Sequence, residues 1–136
     1  MLDLKALLLK LVQHYNTIGT IGTTTYSKTG VSLSNNNDWQ SFGVNETVGP
    51  GTWLITADMR FGSKANSSYR SARIRAGDTY HAITHYQAGS GETGVALIAV
   101  VNETGNWTLD FEGRQYSSSS TTAITCSCYW KVMQLK

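Results

Sequence analysis

The chain has 136 residues, 15% charged and 40% hydrophobic, with a formal net charge of +2; this is enough for one globular domain and argues against a multidomain enzyme. Its 14 Ser, 17 Thr and 8 Asn suit strand surfaces and turns and disfavour an all-helical fold. Lys and Arg are scattered and form no phosphate-neutralising patch, so no nucleic-acid partner is expected; the longest apolar run, Ala6 to Leu9, is too short for membrane insertion or a signal-peptide core.

The first predicted element runs from Leu2 to Tyr15. LDLKALLLKLVQHY lacks Gly, Pro and Thr and spaces its apolar residues as a helix does. One heptad register places Leu4, Leu7, Leu11, His14 and Ile18 at the seam, and a second uses Met1, Leu4, Leu8, Leu11 and Tyr15. So wide a stripe suits a bundle of three or more helices, and a helix of about 14 residues needs partners to persist in water. Residues 1–16 are therefore expected to form a helical trimerisation stalk with Leu4, Leu7, Leu11 and Ile18 in the interface. Packing of the same face onto its own domain is the alternative. His14, at a seam position, would ring the axis in a trimer; a solvent-facing ring at the helix end is the simpler expectation.

NTIGTIGTTT changes the composition abruptly and separates this stalk from a head, residues 17–136. Strands are predicted at Trp39–Val44, Thr52–Phe61, Tyr69–Ala76, Thr79–Tyr86, Gly94–Asn102, Asn106–Glu112 and Ala123–Leu135, with turns about every ten residues, a pattern of sandwiches and barrels. Alternation puts Trp53, Ile55, Ala57, Met59 and Phe61 inward, then Ala72, Ile74 and Ala76 opposite Ser71, Arg73 and Arg75, then Trp107, Leu109 and Phe111 opposite Asn106, Thr108, Asp110 and Glu112.

GVALIAVV breaks the alternation, with Val95, Leu97, Ala99 and Val101 on one face and Ala96, Ile98 and Val100 on the other. The last strand is likewise apolar on both faces, including Tyr129, Met133 and Leu135 on the second. An antiparallel sandwich covers one face of each strand, so a neighbouring subunit is expected on the other. Leu97, Ala99, Tyr129 and Met133 join the expected trimer interface. Cys126 and Cys128, about 6.5–7 Å apart along a strand, are read as free buried thiols.

Five sets of residues resemble a known superfamily: PGTWLITADMRF, YRSARIRAGDTY, ALIAVV, WTLDFEGRQYSSSS and the closing YWKVMQLK. Their order resembles the tumour-necrosis-factor-like and complement-globular-head jelly rolls over roughly Val31 to Lys136. The Leu/Lys helix just before such a head resembles the C-terminal ends of bacteriophage tail and head fibre proteins, whose heads are trimeric and bind host surfaces. Asn37 to Val44 departs from the Pro-containing segment of the eukaryotic members, which counts against a metazoan origin. The resemblance implies an all-β antiparallel jelly-roll sandwich with a short N-terminal helix, on the virion and extracellular, attached to the rest of a fibre protein on its N-terminal side.

Chemistry-bearing patterns are sparse. Asp110 and Glu112, about 6.5–7 Å apart on one strand face, have the spacing of a glycosidase pair, but alternating acids on a strand are ordinarily a solvated face. His81 and His85, four apart, stand about 13 Å from each other on a regular strand and cannot share a metal. Sequons at Asn45, Asn66, Asn102 and Asn106 are expected by chance in such a composition. No catalytic residue, metal or cofactor is expected. What remains is recognition by aromatic, Asn, Ser and Arg side chains on loops: Trp39 beside Asn35–Asp38, Tyr69 and Arg70 after Ser63–Ser68, and Tyr116 before the serine run. The expected function is a non-enzymatic trimeric fibre head that binds a host-surface receptor, a glycan or protein; the rivals are a purely structural cap and a glycan depolymerase.

Overall fold

A computed structural model describes residues 3–10, 25–62, 68–88, 91–118 and 121–135. Asp3 caps the helix at residues 4–10, its carboxylate accepting from the Ala6 amide at 3.1 Å. Leu4, Leu7, Leu8 and Leu9 are all exposed, so nothing among the described residues buries this part of the apolar stripe. Leu11, His14 and Ile18, and the boundary between stalk and head, lie outside the described residues. Among the described residues no helix is long and apolar enough to cross a membrane.

Among the described residues nine strands follow: β1 Tyr26–Leu33, β2 Gln40–Ser41, β3 Glu46–Val48, β4 Gly51–Phe61, β5 Ser68–Ala76, β6 Thr79–Ala88, β7 Thr93–Glu103, β8 Trp107–Tyr116 and β9 Ile124–Gln134. They form two antiparallel sheets, one ordered β1-β9-β4-β7 and the other β2-β8-β5-β6, with β3 also paired to β8. β2 and β3 are one edge strand interrupted at residues 42–45, where Gly43 and Asn45 have positive φ. Counting them together, the chain pairs first strand with last and nests every later pair inside, β5 with β6 innermost across a two-residue turn at Gly77–Asp78. Gly77, at φ 56°, supplies the left-handed residue of that turn. Eight strand positions wound in this way make an antiparallel jelly roll, the fold that the resemblance implied.

The core lies between the sheets. Ile55, Ala57, Met59 and Phe61 of β4 and Ile124, Cys126, Cys128 and Trp130 of β9 face Ile74 of β5 and Leu109 and Phe111 of β8, all buried. Each Ile, Leu, Met or Phe side chain among them, withdrawn from water, contributes about 1.5–3 kcal/mol. The sheets close so tightly over β8 that a Cβ on Gly113 would stand 2.9 Å from Leu33 Cδ1 and 3.0 Å from Phe42 Cε1. Cys126 and Cys128 are free and buried; burial pushes the Cys126 thiol up to about 11, with Cys128 raised further by burial and the charges of Asp58 and Asp110.

Several expectations change. β1 was not foreseen; its bulge between Lys28 and Val31 and its single buried residue, Leu33, leave no alternation to detect. Trp39–Val44 yields only Gln40–Ser41 as strand. Leu97 is 3% exposed and belongs to the core of its own chain, and Ala99 packs against that core, so neither lies on an open interface. The open face of β7 instead carries Ile98 and Val100, 67% and 58% exposed. Asp110 and Glu112 are buried, not solvated, for reasons given below.

Candidate functional site

The two sandwich faces that point away from the core differ in chemistry. On the four-stranded sheet, register aligns Leu54 with Val100 and Met133, Thr56 with Ile98 and Lys131, and Asp58 with Ala96 and Tyr129. The second and third of these rows line an open apolar groove of about 520 Å³, to which Thr25 also contributes. Tyr129 and Met133, two of the expected interface residues, stand on this face, with the Arg60 guanidinium 4.9 Å from the Tyr129 ring centroid.

The five-stranded sheet presents arginines and aromatic rings instead. Opposed pairs across β5 and β8 run Tyr69 with Tyr116, Ser71 with Arg114, Arg73 with Glu112, and Arg75 with Asp110. Directly opposed residues in an antiparallel pair share a face, so these eight side chains form one surface. From β6, His85 pairs with Ser71 and Tyr80 with Arg75. Tyr80 and His85 are five residues apart, which in a regular strand would set them on opposite faces. A bulge restores them to one face: β5 passes from Ala72 to Ile74 while β6 passes from Thr84 to His81, with Ala82 in the left-handed region at φ 50°. The same bulge turns His81 to the inner side, opposite Ile74, and so separates the two histidines.

Trp39 reaches this surface from the Asn-rich turn. Asn35 holds the turn to the end of β8, donating to the Ser117 carbonyl at 3.0 Å and accepting from its amide at 2.7 Å; Gln40 closes it from the other side by donating to the Ser34 carbonyl at 3.1 Å. The Trp39 ring then lies 4.1 Å from the Arg73 guanidinium and 4.7 Å from that of Arg114. Arg73 also stacks on Tyr80 at 3.5 Å, and Arg114 lies 5.4 Å from the Tyr69 ring. Stacking of this kind contributes about 0.5–2 kcal/mol per contact and fixes the guanidinium planes.

Polar contacts knit the surface together. Arg73 Nε donates to Glu112 Oε2 at 2.7 Å, and Arg75 lies 3.5 Å from the other oxygen. Asp110, 0% exposed, accepts from the Ser41 hydroxyl, the Val44 amide at 3.0 Å and its neighbour Phe111's amide at 2.8 Å, so it ties the interrupted edge strand to β8. The carboxylate pair thus has a full set of internal partners, and neither acid stands free beside a cleft. The Tyr69 and Ser71 hydroxyls both lie against His85 Nδ1, at 2.7 and 2.8 Å, and the Tyr69 and His85 rings stack at 5.7 Å. Its hydrogen bond with Ser71, aided by the hydrogen bond and charge of Arg114, holds the Tyr69 hydroxyl below the usual tyrosine range against the effect of burial.

Of the four recognition residues expected from sequence, Trp39 and Tyr69 meet here, and Tyr116 is exposed on the same surface beside Tyr69. Arg70 does not: it is 0% exposed on the inner side, where Nη1 donates to the Gly91 carbonyl at 3.0 Å and the Thr93 hydroxyl at 2.7 Å and closes one end of the sandwich. Arg73, Tyr80, His85 and Arg114 were not singled out. Extending the inward set Ala72–Ile74–Ala76 by one step back places Arg70 inside, and extending Asp110–Glu112 forward places Arg114 and Tyr116 outside; only the bulge at Ala82 has no such signal.

No protein-family model matches the sequence, and no curated protein does. Among solved structures, the chain is similar to one of infectious bursal disease virus, Gx strain, with a TM-score of 0.59 and 12% identity over 82% of this chain and 32% of that one. A viral particle of the same virus gives 0.61 and 10% over 82% and 31%. Its VP2 subviral particle gives 0.56 and 13% over 82% and 33%. The chain spans about a third of the length of these proteins, and the likeness is one of fold.

Proposed function

We propose that this domain is a non-enzymatic, virion-associated head that assembles as a homotrimer and attaches to a host-surface receptor, a glycan, through the outer surface of the five-stranded sheet. The observation that carries it is the cluster of Trp39, Tyr69, Tyr80, Arg73 and Arg114 on a rigid sheet. Rings and guanidiniums fixed in this way offer flat faces and directed donors to sugar rings and hydroxyls without needing a deep pocket. Three such shallow sites on one trimer gain avidity that none has alone. The jelly-roll likeness to proteins of a virus particle supports a place on a virion, and the Leu-rich helix supports a fibre stalk on the N-terminal side. The internal pairing of Asp110 and Glu112 supports recognition over depolymerisation.

The competing reading, a structural cap that only registers a fibre, is favoured by the exposed apolar face at Ile98 and Val100 but gives the Arg-aromatic surface no task. A glycan array probed with the purified full chain separates the two. Selective binding that Trp39→Ala weakens supports attachment; an array with no binding at all leaves the cap.

A further inference from the structure

The proposed attachment surface carries more positive charge than its carboxylates take up. Glu112 is engaged by Arg73 and Arg75, and the oxygens of Asp110 by Ser41, Val44 and Phe111. Arg114 is left with neutral partners alone: Nη2 donates to the Tyr69 hydroxyl at 3.1 Å and Nε to the Ser71 hydroxyl at 3.4 Å. Among the described residues, which include every Asp and Glu of the chain, no carboxylate comes within 4.0 Å of it. Two of its five N–H groups are used, and the guanidinium is held half-buried between Trp39 and Tyr69. A cation positioned and partly desolvated without a counter-charge is a receptor for an anion.

Arg114 and Tyr116 are two apart on one strand face, about 6.5–7 Å between α-carbons, near enough for one sugar unit to touch both side chains. Tyr116 is exposed on that face and has no guanidinium stacked on it, whereas Arg73 and Arg114 both stack against Trp39. We propose that the ligand is an acidic sugar, of the sialic-acid or uronic-acid class, its carboxylate paired in two-point fashion with Arg114 and its ring laid on Tyr116. This rests on the reading of the face as a glycan-attachment surface. A planar guanidinium matches the two oxygens of a carboxylate better than it does a single sugar hydroxyl, and the charge-assisted pair is about twice as strong as a neutral hydrogen bond.

The full chain is titrated with 3′-sialyllactose, galacturonate oligomers, lactose and a 6-sulfated lactose. We expect a carboxylated sugar to bind at least tenfold more tightly than lactose, with a loss of at least tenfold in Arg114→Gln and a smaller loss in Arg114→Lys, which keeps the charge but not the fork. Tyr116→Ala weakens the same ligand, and circular dichroism of each variant confirms that it folds. Equal binding of lactose and the acidic sugars, or binding indifferent to Arg114→Gln, overturns the acidic-sugar assignment and leaves attachment standing. Preference for the sulfated probe overturns the carboxylate assignment, and no binding of any probe here or on the glycan array overturns attachment itself.

Discussion

The outer faces of the two sheets are built on the same jelly roll and have the same pleat, yet one carries an open apolar groove and the other is a lattice of arginines and rings. On the four-stranded sheet, β7 and β9 offer Ile98, Val100, Tyr129 and Met133 with few polar partners. On the five-stranded sheet, nearly every outward side chain has a directed contact with its neighbour. A face with few internal partners gains by being covered, whereas a face whose groups are held by one another stays in shape when bare. The first suits assembly and the second recognition, so the proposed function places its two tasks on opposite sides of one domain.

The largest effect that would break this comparison is loss of assembly. We expect the full chain to have a solution mass about three times 14.9 kDa and the double substitution Ile98→Asp, Val100→Asp to reduce it to that of one chain, read by light scattering. Because both residues are exposed in a single chain, the separated protomer keeps its fold. A wild-type monomer at micromolar concentration would remove the assembly half of the comparison.

Next in size is Glu112→Gln, on the opposite face. Loss of this carboxylate strands Arg73 and Arg75 in a partly buried position, and we expect a cost of about 3–5 kcal/mol in urea unfolding. If the variant unfolds at the wild-type midpoint, the lattice is not self-supporting. Gly113→Ala, whose methyl meets Leu33 and Phe42, is expected to cost about 1–3 kcal/mol by overpacking.

Smaller again is the change at the bulge. Ala82→Val puts a β-branched residue at φ 50°, and we expect a loss of about 1–2 kcal/mol together with weaker glycan binding, since the bulge brings Tyr80 and His85 to one face. Ala82→Gly keeps both properties. The smallest effect is spectroscopic. With Tyr69 held below the usual tyrosine range, its folded form deprotonates before its unfolded form, so this group adds stability as pH rises from its folded pKa to its unfolded one. Arg114→Gln removes a hydrogen bond and a charge that favour tyrosinate, and ultraviolet titration should show one tyrosine moving upward; an unchanged curve would mean that the Arg114–Tyr69 contact does not form in solution.

Much of the sandwich was legible because β5, β8 and, apart from Leu54, β4 alternate, and the doubly apolar β7 and β9 announced an uncovered face. Which face of β7 is uncovered was not legible. Leu97 and Ile98 are both apolar, and only the pairing of Leu97 with inward-facing Ala57 decides between them. The acids of β8 were misread as solvated because alternation says which side of a sheet a residue takes, not what lies over it; the segment between β2 and β3 folds over Asp110, and the arginines of β5 cover Glu112. The proposed recognition surface was half visible. Its β5 and β8 members follow from parity, but Tyr80 and His85 differ in parity and meet only because one alanine adopts a conformation that its sequence does not advertise.

Hydroxyl-radical footprinting of the full chain compares the two faces within one measurement. Tyr129 and Met133 should be protected in the wild type and become reactive in the Ile98→Asp, Val100→Asp protein, while Tyr80 and Tyr116 react equally in both. Protection of Tyr80 and Tyr116 in the absence of glycan, with Tyr129 and Met133 reactive, would contradict the assignment of assembly to one face and recognition to the other.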